Sequence, residues 1–261
     1  AGIVGLGGAA FPTFIKLNPA GHQISKLILN GAECEPYISC DDMLMRERPH
    51  EIVDGAKIMR HALNAEQVII AIEDNKPEAI AALNALADGY DWLLVQAIPV
   101  IYPTGGERQL IKVLTGKDVP SQGLPLDLGM VVSNVATAAA VHHAIDLQQP
   151  LISRIITVTG SGVRSPQNFE ALIGTPMSDL IELAGGYTDD ADRLVVGGPM
   201  MGITLKTDAT PVVKASNCLL VQTPADHAGE AIIRPCIRCG ECVKVCPVKL
   251  LPQQLYWYSQ A

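Results

Sequence analysis

Lys26-Leu27-Ile28-Leu29-Asn30-Gly31-Ala32-Glu33-Cys34-Glu35-Pro36-Tyr37 runs from an unbroken apolar segment into a glycine and two carboxylates one residue apart. A short apolar run bounded by turn residues reads as a buried strand, here Lys26–Asn30. Similar runs follow at Gln67–Glu73, Trp92–Val100 and Met130–Ser133. Between them, Pro49–Asn64 and Lys76–Ala87 read as amphipathic helices, with Pro49 and Pro77 near their starts. A small-residue helix is expected from Asn134 to Ile145. This alternation predicts an α/β layer with a mainly parallel sheet, which binds ligands where loops gather at the carboxyl ends of its strands.

A second block opens with Arg154–Thr159 (R-I-I-T-V-T), a β run ending in Gly160-Ser161-Gly162. Thr175–Gly185 reads as a helix with Pro176 at its first position, and Arg193–Gly198 as a strand. Further β signal lies at Val212–Val213 and Cys218–Gln222. The order predicts a small β-rich module wrapped on one helix. A third block, from about Ala228, holds Cys236, Cys239, Cys242 and Cys246, followed by Pro247. Their spacing matches the bacterial ferredoxin pattern C-x2-C-x2-C-x3-C-P, with the fourth cysteine expected to start a helix. Two-residue gaps let a tight loop turn thiolates toward iron, and iron–sulfur ligation is favoured over zinc or a structural role.

Composition narrows the classes. The 261 residues are 48% hydrophobic and 18% charged, which suits a folded chain with sizeable cores. A net charge of -8 disfavours a nucleic-acid partner, since no basic stripe exists to displace counterions. No stretch approaches about twenty unbroken apolar residues. Four of the seven cysteines are clustered, which does not resemble a secreted disulfide framework and points to a reducing compartment. No leader is read at the start. The opening without methionine, and the stop soon after the cysteine run, lead to the expectation of a fragment of a longer protein.

Four segments could carry chemistry. Gly5-Leu6-Gly7-Gly8-Ala9-Ala10-Phe11-Pro12 could present backbone N–H groups to an anion or a flat ring. It lacks the long following helix of a dinucleotide fingerprint, because Pro12, Pro19 and Gly21 leave room for only about two turns. Glu33 and Glu35, at a strand end, suit a ribose or a ring edge. Tyr102-Pro103-Thr104-Gly105-Gly106-Glu107 lies between a strand and a helix whose N–H groups could meet phosphate. Ser133-Asn134-Val135-Ala136-Thr137 opens a helix, with an N-cap as its simplest role. All four fall at strand ends of one block, so they can converge.

G-L-G-G-A-A-F-P-T, N-G-A-E-C-E-P-Y, Y-P-T-G-G-E and S-N-V-A-T, in this order before a ferredoxin-type run, resemble the C subunits of Rnf electron-transport complexes. They are also similar to the flavin-binding subunit of respiratory complex I. The resemblance covers nearly the whole chain. It implies a Rossmann-like FMN-binding α/β domain over residues 1–149 and a β-grasp module over 150–227. A truncated 4Fe-4S ferredoxin-type helical segment would occupy 228–261. On this resemblance Gly5, Gly7, Gly8, Lys16, Asn30, Glu33, Gly105 and Asn134 hold FMN, and Phe11, Glu35, Tyr102 and Glu107 meet NAD(H). Cys236, Cys239, Cys242 and Cys246 are the metal ligands. Ala32 and Gly106 stand where complex I has an aspartate and a glutamate, which leans toward the Rnf branch.

The implied function is electron transfer between NAD(H), FMN and 4Fe-4S clusters, in a ferredoxin:NAD oxidoreductase at the cytoplasmic face of the bacterial inner membrane. Other complex subunits, and ferredoxin or an equivalent carrier, are the implied partners. A cobalamin reductase-like flavoprotein and a non-catalytic scaffold with a vestigial pocket are the rival readings. In two-cluster ferredoxins the fourth cysteine serves the other cluster. A partner run is therefore expected downstream of Ala261, and the segment present here is expected to be disordered or metal-free. His142 and His143 are read as packing or surface residues, Cys34, Cys40 and Cys218 as small buried residues, and the Gly197–Gly202 run as a turn.

Overall fold

The computed structural model describes residues 1–19, 21–226, 234–246 and 249–260. Two compact units divide the chain, Ala1–Asp226 and His227–Ala261. The first unit begins with the one-turn helix α1 (Thr13–Lys16) and the strand β1 (Lys26–Gly31). Helices α2 (Cys40–Glu47) and α3 (Pro49–Leu63) follow, then β2 (Gln67–Glu73), α4 (Pro77–Ala87), β3 (Leu93–Ile98) and α5 (Glu107–Thr115). β4 (Met130–Asn134) and α6 (Val135–Ile145) complete this layer. The four strands form a parallel sheet in the order β3-β2-β1-β4, so β1 is central and its neighbours are β2 and β4.

Both faces of the sheet are covered, which is why β1 reads as an unbroken apolar run. Leu27 and Leu29 face a core with Ile52, Ala56 and Met59 of α3, Leu83 of α4 and Val135 and Ala138 of α6. Ile28 points the opposite way, toward Ile98, Leu110, Ile111, Met130 and Val132. Pro49 and Pro77 each begin a helix, where a missing N–H costs nothing. α3 ends on Asn64, whose φ of 49° takes the left-handed cap conformation. The register sets Asn30 of β1 beside Asn134 of β4, at the carboxyl ends where the loops meet.

The second sheet comprises β5 (Ser153–Thr159), β6 (Gln167–Leu172), β7 (Arg193–Val196), β8 (Ile203–Thr204) and β9 (Cys218–Gln222). Its order is β6-β5-β9-β7-β8, parallel between β5 and β9 and antiparallel elsewhere. The helix α7 (Met177–Leu183) covers one face, where Ile156, Val158, Leu180, Ile181, Leu194 and Leu219 pack together. Val195, Cys218 and Leu220 occupy the other face, against Ile38 from the segment after β1. Ser39 N–H donates to Thr157 Oγ1 at 3.1 Å, and Arg48 pairs with Glu170 at 2.8 Å, fastening the two sheets into one unit.

Several expectations need correction. The helix expected over Thr175–Gly185 is shorter, and Pro176 caps it from outside. Val212–Val213 forms no strand. Val212 is buried, and its neighbour Pro211 makes only an isolated bridge to Pro176. β6 was not expected, because Gln167–Leu172 is an edge strand with only Ala171 buried and therefore lacks an apolar signature. In the second unit, α8 (Glu241–Lys244) and α9 (Pro252–Gln260) show that the cysteine segment is not wholly without regular structure. Cys242 lies within α8 and Cys246 follows it, while the helix expected to start at Cys246 falls on residues 247 and 248, outside the described residues.

Candidate functional site

The N-terminal glycine run folds into a closed turn. Gly5 N–H donates to the Phe11 carbonyl at 2.7 Å, and Ala10 N–H returns to the Gly5 carbonyl at 3.1 Å. Leu6 anchors it: its N–H donates to Thr137 Oγ1 at 2.9 Å, and its carbonyl accepts from the buried Arg154 guanidinium at 2.9 Å. Gly7, Gly8 and Ala9 stay exposed. A methyl group on Gly7 would sit 3.4 Å from Asn134 Cβ, and one on Gly8 would meet nothing, although its φ of +106° strains any side chain there. The turn thus presents bare backbone beside the carboxyl end of β4. Thr137, quoted in a motif but assigned no role from sequence, is the fully buried peg that holds it.

Asn30 ties β1 to the loop after β3. Its Nδ2 donates to the Gly105 carbonyl at 2.8 Å, while its Oδ1 accepts from Ala32 N–H at 3.0 Å. Gly105 has no room for a side chain, since a methyl there would lie 2.9 Å from both the Ala32 carbonyl and Cys34 Sγ. Asn134 caps α6 by accepting from Ala136 N–H at 2.8 Å, and its Nδ2 donates to Asp41 Oδ2 at 2.6 Å. Gly7, Asn30, Gly105 and Asn134 are therefore gathered at one sheet edge.

The charged residues are placed less as the sequence suggested. Lys16 Nζ donates to Glu107 Oε1 and to the Val132 carbonyl, each at 2.8 Å, so residues expected on the flavin and on the nucleotide pair with each other. Glu33 turns inward. It accepts from Asp41 N–H at 2.8 Å, Asp42 N–H at 3.3 Å and Lys76 Nζ at 2.7 Å, bracing the start of α2. Glu35 accepts from Met200 N–H of the second sheet at 3.0 Å. Tyr102 is 39% exposed, and desolvation followed by the charges of Glu35 and Cys34 raises its hydroxyl pKa. Phe11 is 43% exposed and contributes its carbonyl to the glycine turn.

Asp41 carries no signal in the sequence that would single it out. Burial, and next the Glu33 carboxylate, push it up to about 7, against the opposing pull of the Asn134 amide, Arg154 and Lys76. Its place in the first turn of α2 favours the charged form by only about 0.3–1 kcal/mol, so burial prevails. The native state keeps a proton that the unfolded chain releases between about pH 4 and 7. Stability from this group therefore falls as pH rises through that window. Asp41→Asn should flatten the dependence, gaining about 4 kcal/mol over wild type at pH 8 and almost nothing at pH 4. Melting midpoints of both proteins across that range test this. Parallel curves would rule it out.

The arrangement suits a flat ligand rich in hydrogen-bonding edges: exposed backbone at Gly7–Ala9, two asparagines tying the loops beneath, and the starts of α5 and α6 close by. Residues 1–143 match the family model described as the Nuo51 FMN-binding domain. The chain belongs to this family. Residues 155–204 match the SLBB domain model.

Among relatives of this Nuo51-type chain, the C subunit of the ion-translocating oxidoreductase complex of Rhodobacter capsulatus is 51% identical over 258 residues, covering 98% of this chain and 49% of that protein. The namesake from Pseudomonas aeruginosa is also 51% identical, over 99% of this chain and 34% of the relative. The chain thus spans half the length of these relatives or less. The resemblance drawn from the four ordered motifs agrees with these names. A solved NAD+-reducing [NiFe]-hydrogenase in the H2-reduced state superposes with a TM-score of 0.72 at 23% identity, over 84% of this chain and 44% of that one. That likeness establishes the shared fold.

In the second unit, three of the clustered cysteines have local partners. Cys236 Sγ accepts from Arg238 N–H, Cys246 Sγ accepts from Leu250 N–H, and Cys242 donates to Gln253 Oε1, all at 3.4 Å. Among the described residues no three His, Cys, Asp or Glu side chains converge as a metal site would require. Cys40 and Cys218 are buried in the first unit, Cys34 is half-buried, and His142 and His143 pair with Asp146 and Glu51.

Proposed function

We propose that the chain is the flavin- and nicotinamide-handling part of an electron-transfer subunit in an ion-translocating oxidoreductase complex. The observation that carries this reading is the gathering of Gly7, Asn30, Gly105 and Asn134 at the carboxyl edge of the parallel sheet, within the segment matching the Nuo51 FMN-binding domain. Gly5, Gly7 and Gly8 would cover the flavin, with Asn30, Gly105 and Asn134 at its polar edges and phosphate. Lys16 would supply positive charge, with Glu33 behind. Phe11, Glu35, Tyr102 and Glu107 would line the nicotinamide side. Bound FMN would accept a hydride from a nicotinamide and release its electrons singly. The protein's share is orientation, exclusion of water and fixed dipoles.

The second sheet, with one helix on one face, is read as a β-grasp module, supported by the SLBB match. The ferredoxin-type 4Fe-4S reading of Cys236, Cys239, Cys242 and Cys246 rests on spacing alone. Other subunits of the complex, and ferredoxin or a similar carrier, are the proposed partners. The relatives' name supports membership of an ion-translocating complex, and peripheral attachment at the cytoplasmic face of the inner membrane is proposed from the motif resemblance alone. Among the described residues no helix is long and apolar enough to cross a membrane.

Titration with FMN, followed by anaerobic addition of NADH, tests this reading. Flavin absorbance should appear on the protein and bleach with NADH. Asn30→Ala, which unties the Gly105 loop, should weaken FMN binding by about tenfold or more while the fold persists. Uptake of FMN without reduction by NADH would remove the nucleotide half, and failure to take up FMN would remove the whole proposal.

A further inference from the structure

The turn between β7 and β8 reaches the first sheet's loops at one carboxylate. Met200 N–H donates to Glu35 Oε2 at 3.0 Å, while Glu35 Oε1 is buried and has no hydrogen-bond partner among the described residues. Gly198 makes the approach possible. A methyl group there would overlap the Glu35 carboxylate and lie 2.8 Å from its Cβ. The turn is itself braced, since Gly202 N–H donates to the Gly198 carbonyl at 2.8 Å. Gly197 has a φ of +96°, open to glycine without strain.

A carboxylate held by one oxygen, with the other desolvated and bare, lacks a donor that the protein does not supply. We infer that the Gly197–Gly202 turn of the second sheet is a positioning element for the nucleotide site, fixing Glu35 so that Oε1 accepts a hydrogen bond from a ribose hydroxyl or carboxamide of the nicotinamide nucleotide. This rests on the functional reading above and extends it: the β-rich module takes part in nucleotide recognition. Gly198 and Met200 act through Glu35 and touch no reacting atom.

The test is a double-mutant cycle on the FMN-loaded protein, read by calorimetric titration with NADH and by melting. Gly198→Ala should raise the NADH Kd by about tenfold or more, leave FMN content unchanged and lower the melting midpoint by about 2–6 °C. In a Glu35→Ala background, where the side chain it strikes is gone, Gly198→Ala should change Kd less than about twofold and barely move the midpoint. Equal losses in both backgrounds, or no loss in the single variant, overturn the inference. Should Gly198→Ala yield no folded protein, Glu35→Gln reads the same contact. Its amide oxygen still accepts from Met200 N–H, so the fold is kept, but an NH2 replaces the bare acceptor and Kd should rise about tenfold or more. An unchanged Kd there also overturns it. A wild-type protein that takes up FMN but binds no NADH defeats the nucleotide reading itself, while the melting cycle still decides whether Gly198 acts through Glu35.

Discussion

Gly55→Ala should destabilise the protein by about 3 kcal/mol, although the same change on an exposed helix stabilises by about 1 kcal/mol. Gly55 lies inside α3, where alanine is the better helix former. Its missing side chain is where α6 crosses: a methyl group there would overlap the backbone oxygen and carbon of Ala138 and lie 3.1 Å from its Cα. Backbone atoms cannot rotate aside, so the helices must part by more than about 1 Å to restore ordinary contact. Parting them opens the core that Ile52, Ala56, Met59, Val135 and Ala138 share with the sheet. The expected fall in melting midpoint is roughly 6–12 °C. Ala138→Gly should not rescue it, because the obstructing atoms are main chain, and Lys57→Ala on the exposed side of α3 should be nearly neutral. A Gly55→Ala protein as stable as wild type would refute the helix contact.

Lys76→Met should cost about 3 kcal/mol through a different mechanism. Lys76 Nζ lies 2.7 Å from Glu33 Oε2, and the two side chains are only 11% and 4% exposed. Removing one partner of a buried pair typically costs about 3–5 kcal/mol, because the other charge is left stranded. The lower end applies here, since Glu33 retains the N–H groups of Asp41 and Asp42 at the start of α2. Glu33→Gln in the same background should restore much of the loss by removing the stranded charge. The damage should also reach the flavin edge, because α2 sets Asp41 against Asn134. Chemical denaturation of the single and double variants gives the coupling. Additive losses would show that the pair does not act as a unit.

Local signals made part of the fold legible in the linear sequence. The strands β1, β2 and β4 were legible because a parallel sheet covered on both faces demands unbroken apolar runs. The helices α3 and α4 were legible because proline at a first position and apolar spacing are local signals. α2 was not, since Cys40–Glu47 begins with three polar or small residues and follows an acidic turn. β6 escaped because an edge strand needs few buried residues. Val212–Val213 misled because β-branched residues also fill a core from a loop.

The candidate site divides in the same way. Gly7, Gly105, Asn30 and Asn134 were singled out through the resemblance of the ordered motifs, and the structure brings them together at the carboxyl ends of the strands. Which partner each charged residue takes was decided by the tertiary structure alone. Glu33 meets a lysine 43 positions away, Lys16 meets a glutamate 91 positions away, and Glu35 meets a main-chain N–H 165 positions away. The sequence by itself determined the parallel α/β layer and the order of the motifs along it, because these follow from local periodicity and residue type, while the family entered through the resemblance of those ordered motifs. The inward turn of Glu33, the raised pKa of Asp41 and the hold of the second sheet on Glu35 needed the folded molecule. Burial and opposite charge act through space, and their strength depends on distances that no spacing along the chain records.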